Sequence, residues 1–187
     1  MNSRYHIEKV SLGCKVRRAI WNITYNLLFR PFSTFLFARW RCFLLRIFGA
    51  KIGSHVMVYA SVKIWAPWNL VMRCNSCLGP HVICYNQALV TIGENSVVSQ
   101  YSYLCNAGHD TSMMNTSDSG LIISPIEIGK NVWIGTRAYI GMGVQIGDNA
   151  IVGATSSVFK DIPSAGIVGG NPAQLLKMRK MNADEMV

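Results

Sequence analysis

The sequence predicts a mainly β protein, a parallel β-solenoid built from six-residue units. Counting from Ile128, an apolar residue returns at every sixth position as far as Val158, and glycine directly follows each of these anchors up to Val152. Neither the 3.6-residue period of a helix nor the two-residue period of an alternating strand gives this pattern. A short fixed repeat is typical of a solenoid, in which each unit buries its apolar side by stacking on its neighbours.

The repeat is interrupted three times. It begins at Ile52, shifts by two residues before Met72 and again before Ile92, and stops between Leu104 and Ile126. In a stacked solenoid an insertion has to protrude, and protruding loops carry function more often than the coils do. We therefore expect the chemistry of this protein near the shifts and the break rather than in the regular coils.

These patterns divide the chain into three parts. Residues 1–50 form a basic amphipathic helical segment, and residues 51–172 form the solenoid with a loop insertion at about 106–125. Residues 173–187 follow a proline, which is favoured at the first position of a helix. We predict a short C-terminal helix over Gln174–Met181 and a tail.

Two sets of apolar residues at helical spacing predict two helices before the solenoid, with Pro31 between them. The sets are Val16, Ile20, Ile23 and Leu27, and then Leu36, Trp40, Phe43 and Ile47. One interpretation is that the helices cap the open N-terminal end of the stack, because a terminal unit needs a different outer face.

A second interpretation rests on charge and leaves the first open. Ten of the 18 Lys and Arg residues lie in residues 1–51 against a single acid, Glu8, so this segment carries the whole net charge of +9. A basic surface rich in Trp and Phe suits peripheral contact with an anionic membrane through residues 1–48. We expect no nucleic-acid binding, because the arginines lie among bulky apolar side chains rather than on a polar stripe.

Composition indicates a folded, cytoplasmic protein. Half of the residues are hydrophobic and 14% are charged, which argues against disorder. The N-terminus lacks a signal-peptide pattern, and no uncharged apolar run reaches the roughly 18 residues of a spanning helix. Six cysteines in such a chain indicate reduced thiols. Cys74-x-x-Cys77 lacks the second pair of a zinc site, so we interpret it as structural.

Several motifs resemble those of the hexapeptide-repeat acyltransferases, in the maltose/galactoside and xenobiotic O-acetyltransferase branch. They are the sequences at 128–135 (IGKNVWIG), 146–154 (IGDNAIVGA), 158–163 (VFKDIP) and 170–173 (GNPA). Residues 63–70 and 99–105 are more similar to colanic-acid-type polysaccharide acetyltransferases. The resemblance implies a left-handed parallel β-helix of triangular section and a homotrimer with active sites between subunits. It also implies acetyl-CoA as the co-substrate, with no metal.

The resemblance assigns the acceptor chemistry to a few residues near the interruptions. His109 stands where the family has its catalytic histidine, and histidine suits a general base because its ordinary pKa of about 6.5 leaves it mostly neutral at pH 7. Asn86 matches a family asparagine that hydrogen-bonds the acceptor hydroxyl, although an asparagine is also common in turns. Tyr85 is a candidate for stacking on the sugar. Asp110 either helps to position His109 or opens the loop.

For the donor, the resemblance implies that CoA lies along the C-terminal coils and is held largely by backbone groups. The matching positions are Thr136, Gly141, Gly143, Ala154, Lys160 and Lys177. The two lysines are the expected partners of the nucleotide phosphates. Phe159 stands where threonine is common, and Gln174 stands where an arginine often contacts phosphate, so we expect the CoA site to differ there.

The resulting hypothesis is an acetyl-CoA-dependent O-acetyltransferase acting on a sugar of a surface polysaccharide or its lipid-linked precursor. The alternatives are a xenobiotic (antibiotic) or small-sugar O-acetyltransferase, which would share the chemistry and differ in the acceptor. A carbonic-anhydrase-like zinc enzyme on the same fold would need three converging histidines. A scaffold without activity is disfavoured because His109, Asn86 and Lys160 all occupy positions that the chemistry uses.

Overall fold

The six-residue repeat folds into a triangular stack of short parallel strands. The computed structural model describes residues 6–8, 11–109 and 121–180 of the chain. Its strands are β1 His6–Glu8, β2 Lys51–Ile52, β3 Met57–Val58, β4 Lys63–Ile64, β5 Leu70–Met72, β6 Cys77–Leu78, β7 Ile83–Tyr85, β8 Val90–Ile92, β9 Val97–Val98, β10 Tyr103–Cys105, β11 Ala107–His109, β12 Leu121–Ile123, β13 Ile126–Ile128, β14 Trp133–Ile134, β15 Tyr139–Ile140, β16 Gln145–Ile146, β17 Ile151–Val152, β18 Ser157–Val158, β19 Gly166–Gly170 and β20 Ala173–Met178.

The described strands form four sheets: β1, β12 and β11 form a small one, and the other three are the faces of a prism of five coils. Face 1 contains β2, β5, β8, β13 and β16, and face 3 contains β4, β7, β10, β15 and β18. Face 2 contains β3, β6, β9, β14, β17, β19 and β20. The register stacks the repeat anchors directly, as in Met72 on Ile92 and Ile128 on Ile146. The predicted parallel β-solenoid is therefore confirmed.

The core is the set of anchor side chains inside the prism. On each face they form a buried column, for example Val58, Leu78, Val98, Ile134 and Val152 on face 2. Because each column lines up with the columns of the other two faces, the apolar interior is continuous from the first coil to the last.

The three interruptions of the repeat all occur at the same corner of the prism, where face 3 leads into face 1. We call it the 3–1 corner. In the first coil it holds a 3₁₀ turn, Pro67–Asn69, and in the second coil it holds residues 86–89. In the third coil it holds the insertion, which begins and ends with β11 and β12 paired as an antiparallel hairpin. One edge of the prism is thus irregular in three successive coils.

The two predicted N-terminal helices are present. Helix α1 (Leu12–Thr24) is capped by the Ser11 hydroxyl, which accepts a hydrogen bond from the Cys14 N–H, and it continues into a π-helical turn at Tyr25–Phe29. Helix α2 (Ala38–Ile47) follows a 3₁₀ turn at Phe35–Phe37. In the described part of the chain, no helix is long and apolar enough to cross a bilayer.

The helices close the open end of the prism by supplying hydrogen-bond donors. Between coils, each anchor carbonyl accepts an N–H from the preceding coil, as Leu78 O does from Tyr59 at 3.2 Å. The first coil has no preceding coil, so its three anchor carbonyls need other donors. The helical segment supplies one side-chain donor to each of them. Arg46 Nη2 donates to Ile52 O (3.0 Å), Arg41 Nε to Val58 O (2.7 Å) and Trp21 Nε1 to Ile64 O (2.8 Å).

This arrangement determines which helix faces are buried. The buried side chains of the helical segment include Trp21, Phe29, Arg41, Leu44 and Leu45. Apart from half-buried Trp40, the two predicted apolar stripes face away from the prism, with exposures between 50% and 78%. Since the prism end requires donors, Trp21 and Arg41 turn inward, and the two predicted apolar stripes turn outward.

The predicted C-terminal helix is wrong. Residues 173–178 form β20, which folds back on β19 as an antiparallel hairpin with Ile167 paired to Lys177 and Gly170 to Ala173. Without it, β19 would leave the edge of face 2 unpaired in the last coil. Pairing of this edge outweighs the local preference for a helix after Pro172.

The cap predicts a difference in stability between two arginine variants. Arg41→Met replaces a buried arginine by an apolar side chain of similar length. The hydrogen bonds of Arg41 to the carbonyls of Val58, Phe32 and Thr34 are then lost. We expect the free energy of unfolding to fall by about 2–5 kcal/mol, because buried carbonyls are left unsatisfied. Arg46→Met removes bonds from an exposed side chain and should cost about 1 kcal/mol or less. Urea denaturation measures both; equal losses would contradict the capping role of Arg41.

Candidate active site

The insertion brings His109 to the 3–1 corner at the end of a short hairpin. Strand β11 pairs with β12, with His109 opposite Leu121, and β12 pairs on its other side with β1. The His109 side chain is exposed. Asp110 lies outside the described residues, so its role stays a prediction. The predicted insertion is thus anchored by regular strand pairing at both ends.

The base of the hairpin lies against the glycine turn of the next coil. A Cβ on Gly108 would stand 3.2 Å from Met142 Cε, and a Cβ on Gly143 would stand 3.1 Å from Ser124 Oγ. Gly143 also has a φ of +75°, which favours glycine. These close approaches couple the hairpin of His109 to the turn that contains Gly141 and Gly143.

The predicted CoA-binding residues are distributed over two corners that flank face 3. Gly141, Gly143 and Lys160 belong to the 3–1 corner in the last two coils. Thr136 and Ala154 belong to the corner between faces 2 and 3, where the Thr136 carbonyl accepts the Thr155 N–H at 2.8 Å.

Lys177 lies elsewhere, on β20 of face 2, where it is exposed beside the strand partner Ile167. Gln174 is on the same strand, opposite Gly169. The structure therefore groups five of the six candidates around face 3 and leaves Lys177 on another face of the same chain.

Phe159 makes the C-terminal part of face 3 aromatic. Its ring stands over Gly141, where an added Cβ would come within 3.1 Å of Phe159 Cδ1. It also packs on Tyr139 with ring centroids 5.6 Å apart, and Tyr139 stacks on Tyr103 at 5.8 Å. The departure from threonine at position 159 thus adds an apolar wall beside the glycine turn in place of a hydroxyl group.

The tyrosines of this wall are unsuited to act as bases. Burial is the main cause that raises the pKa of Tyr139, and a hydrogen bond with Cys105 adds to it. Burial likewise raises the pKa of Tyr103. Both phenols stay protonated at neutral pH, so they can donate hydrogen bonds but cannot take a proton from an acceptor hydroxyl.

Asn86 has a structural role in this geometry. Its side chain is fully buried; Oδ1 accepts the Ala66 N–H at 3.0 Å, and Nδ2 donates to the carbonyls of Ala66 (2.7 Å) and Asn69 (3.0 Å). Asn106 repeats the arrangement one coil later, on Ala88 and Leu89. The predicted contact between Asn86 and the hydroxyl of the acceptor substrate stays a prediction; in this structure the amide holds the widened corner.

Tyr85 lies in a pocket between α1 and the first two strands of face 3. We call it the helix–face 3 pocket; its volume is about 410 Å³. It is lined by Arg18, Trp21, Asn22, Tyr25, Asn26, Arg30, Lys63, Ile64, Trp65, Ile83, Cys84 and Tyr85. Tyr85 packs edge-on against Trp65, with centroids 6.0 Å apart. Its register partner is Cys105, so the pocket is one strand from the base of the His109 hairpin.

The sequence analysis identified Tyr85 but missed the other side of this pocket. The helix residues Arg18, Asn22 and Asn26 follow one another at four-residue spacing, which is a detectable signal. We interpreted the arginines as part of a basic, membrane-facing surface and did not place them in a pocket.

The remaining histidines and cysteines form no further centre in the described part of the chain. His81 stacks on Tyr101 with ring centroids 4.8 Å apart, and nothing is described of the His6 side chain. Within residues 6–8, 11–109 and 121–180, no three His, Cys, Asp or Glu side chains are grouped to hold a metal ion. The carbonic-anhydrase alternative therefore has no ligand set among the described residues.

Comparison with known proteins is consistent with this geometry. Residues 125–160 match the family described as hexapeptide repeat of succinyl-transferase. Over 141 residues, 75% of this chain and 76% of the relative, the chain is 44% identical to the "Putative colanic acid biosynthesis acetyltransferase WcaF" of Escherichia coli strain K12.

Two solved structures share the fold. A galactoside acetyltransferase in complex with coenzyme A has a TM-score of 0.83 at 28% identity, over 92% of this chain and 86% of that chain. A hexapeptide-repeat acetyltransferase from Vibrio cholerae O1 biovar eltor, complexed with acetyl coenzyme A, has a TM-score of 0.84 at 22% identity, over 94% of each chain. With 44% identity across three quarters of its length to one relative, this chain belongs to the hexapeptide-repeat acetyltransferase family.

Proposed function

We propose that this protein transfers an acetyl group from acetyl-CoA to a sugar hydroxyl, in the biosynthesis of a surface polysaccharide. The observation that carries the proposal is the contact between the His109 hairpin and the Gly141–Gly143 turn, through Gly108 and Met142. It sets a histidine beside a stretch of backbone that a thioester ligand can approach closely. The likeness to a colanic acid biosynthesis acetyltransferase supports the polysaccharide context.

In the proposed reaction His109 is the general base. It takes the proton from the acceptor hydroxyl as the oxygen attacks the carbonyl carbon of the acetyl thioester. The tetrahedral intermediate then collapses, the carbon–sulfur bond breaks, and the sulfur leaves with the proton returned by His109. The products are the sugar acetate and CoA, and the histidine is regenerated.

The donor is proposed to lie along the last coils beside face 3. The backbone of Gly141 and Gly143 would contact the pantetheine arm, with Thr136 and Ala154 at the neighbouring corner and the exposed ring of Phe159 as an apolar wall. Lys160 is exposed at the 3–1 corner and can meet a nucleotide phosphate as a point charge. Lys177 lies on face 2, so it could serve a CoA molecule only where face 2 of one subunit meets another subunit.

A homotrimer is part of the proposal. Val97 and Trp133 are register partners on face 2, and both are exposed, by 38% and 55%. An exposed apolar pair on a flat sheet is typical of a surface that another subunit covers. Active sites between subunits would bring face 2 of one chain toward face 3 of the next.

We also propose peripheral contact with the cytoplasmic face of the membrane through the helical segment. Much of its basic charge is engaged within the chain: Arg17 and Arg18 lie over the rings of Trp68 and Trp65, and Arg41 and Arg46 bind carbonyls. The outward stripes of α1 and α2 are aliphatic and aromatic. Membrane contact would therefore depend more on apolar insertion than on the net charge of the segment.

The proposed general base is tested by replacing His109. His109→Ala should lower kcat by about 10²–10⁴ because the acceptor loses its base, while the Kd of CoA stays within about twofold, since His109 is proposed to act on the acceptor. The control His81→Asn changes a histidine at another corner, at a φ of 60° that asparagine tolerates, and should keep kcat. Wild-type turnover by His109→Ala would refute the catalytic role.

The second prediction concerns the donor. Lys160→Gln should raise KM for acetyl-CoA about three- to tenfold, as expected for one exposed charge–phosphate contact. It should leave KM for acetyl-pantetheine unchanged, because that donor has no nucleotide phosphates. Lys130→Gln makes the same charge change at the corner between faces 1 and 2 and serves as the control. If Lys130→Gln has an equal effect, the contact is not at Lys160.

The third prediction concerns the membrane. Replacing Ile20 and Ile23 together by serine should reduce flotation with anionic liposomes at least about tenfold, since two exposed apolar side chains are removed from the proposed contact. Leu175→Ser, an exposed leucine on the C-terminal hairpin, should float like the wild type. Unchanged flotation of the double variant would exclude this surface as the contact. A change in oligomeric state instead would identify it as a subunit interface.

A further inference from the structure

The polar face of α1 turns toward the prism and forms one wall of the helix–face 3 pocket. Arg18, Asn22 and Asn26 lie on this wall at four-residue spacing, and Arg30 extends it beyond the π-helical turn. The aliphatic side of α1 faces away from the prism and is exposed, which is unusual for a helix that packs on a core. The need for donors at the open end of the prism explains the orientation of Trp21, which binds an anchor carbonyl. It does not explain why Arg18, Asn22, Asn26 and Arg30 line the pocket, because none of them binds an anchor carbonyl.

The pocket collects positive charge without a counterion. Its lining contains Arg18, Arg30 and Lys63, and no Asp or Glu is among the described residues that line it. Three cations around one cavity produce a positive potential that favours an anionic ligand over a neutral one. The charge is also concentrated: Arg30 is near enough to Tyr25 to oppose the rise that burial causes in the pKa of that phenol.

Arg18 is held in place and still has an unused donor. Its Cζ stands 3.9 Å from the centroid of the Trp65 ring, which fixes the guanidinium plane over the indole. Its Nε is buried and has no hydrogen-bond partner among the described residues. A buried N–H without a partner is costly unless a ligand satisfies it. A guanidinium held over an indole at the wall of a pocket suits a phosphate or a carboxylate, since Arg binds both of these groups well.

The other walls suit a sugar ring. Trp65, Tyr85 and Tyr25 offer aromatic surfaces, and Asn22 and Asn26 offer amide groups. Tyr25 is held by stacking on Phe29, with centroids 5.5 Å apart, inside the π-helical turn, and such turns are frequent at functional sites. The pocket thus combines rigid apolar walls with charged groups on one side.

The pocket lies on the same face of the prism as the base of the His109 hairpin, and Tyr85 is one strand away from that base. Tyr85 is the register partner of Cys105, and adjacent strands are about 4.8 Å apart. Cys105 Sγ in turn contacts the carbonyl of Ala107, the first residue of the strand that ends at His109.

We propose that the acceptor is an anionic sugar, whose phosphate or carboxylate binds Arg18, Arg30 and Lys63 in the helix–face 3 pocket while a hydroxyl is acetylated near His109. This inference rests on the proposed acetyl transfer and narrows its substrate class. A sugar phosphate, including one linked through phosphate to a lipid or nucleotide, and a uronic acid share the required chemistry. The reaction that supplies the substrate is then one that forms either a glycosyl phosphate or a uronic acid.

The test compares glucose 1-phosphate, glucuronic acid and glucose as probes, with binding measured by tryptophan fluorescence and calorimetry at low and high salt. We expect at least one anionic probe to bind about tenfold more tightly than glucose, and the difference to shrink at high salt. Whether glucose 1-phosphate or glucuronic acid binds more tightly shows whether the pocket prefers a phosphate or a carboxylate. Arg18→Gln should remove the preference, and Lys63→Gln, an exposed change that leaves the Arg18–Trp65 contact intact, should reduce it about threefold.

The control is Arg73→Gln, which makes the same charge change on an exposed side chain of another corner and should leave the preference unchanged. Equal binding of all three probes, or a preference that survives both Arg18→Gln and Lys63→Gln, overturns the inference. Acetyl transfer is assayed in parallel with the same sugars. Transfer to glucose alone would leave the proposed function standing and refute the anionic acceptor. An anion preference that both pocket variants remove, without transfer to any sugar, would support the pocket and count against the proposed function.

Discussion

The open carbonyls of the first coil determine how the rest of this molecule is arranged. In a parallel solenoid the backbone N–H groups of each coil donate hydrogen bonds to the carbonyls of the next coil. The terminal coil is therefore left with carbonyls to which no other strand donates. Here Ile52, Val58 and Ile64 present one such carbonyl on each face, and Arg46, Arg41 and Trp21 each donate to one of them. Leaving a buried carbonyl unsatisfied costs about 1–3 kcal/mol, which is large against the marginal stability of a domain.

Two consequences follow from this constraint. Because donors must point at the prism, Trp21 and Arg41 face inward, and the side of α1 that carries Trp21 also turns Arg18 toward the helix–face 3 pocket. For the same reason the aliphatic stripes of both helices face outward, where they are exposed. Capping and membrane contact were alternatives in the sequence. The structure makes them compatible, because the cap uses one side of the helices and leaves the other side exposed.

The solenoid could be predicted from the sequence because its period depends on burial, and burial is visible as apolar residues at fixed spacing. The location of the insertion was equally visible, since the repeat stops after Leu104. The role of Asn86 was not, because spacing does not tell whether a corner side chain points outward to a ligand or inward to the Ala66 and Asn69 backbone. The C-terminal strand and the orientation of α1 were missed for one reason: unpaired edges and open carbonyls are properties of the folded prism, and no local pattern reports them.

We propose that His109, on the hairpin whose base contacts the glycine turn, is the general base for acetylation of a surface sugar. Mass spectrometry of surface glycans tests it most directly, in the native host lacking the gene and complemented either with the wild type or with His109→Ala. We expect one acetyl group per repeating unit to be missing without the protein, to be restored by the wild type and not to be restored by His109→Ala. Identical glycans in all strains, or restoration by His109→Ala, would contradict it.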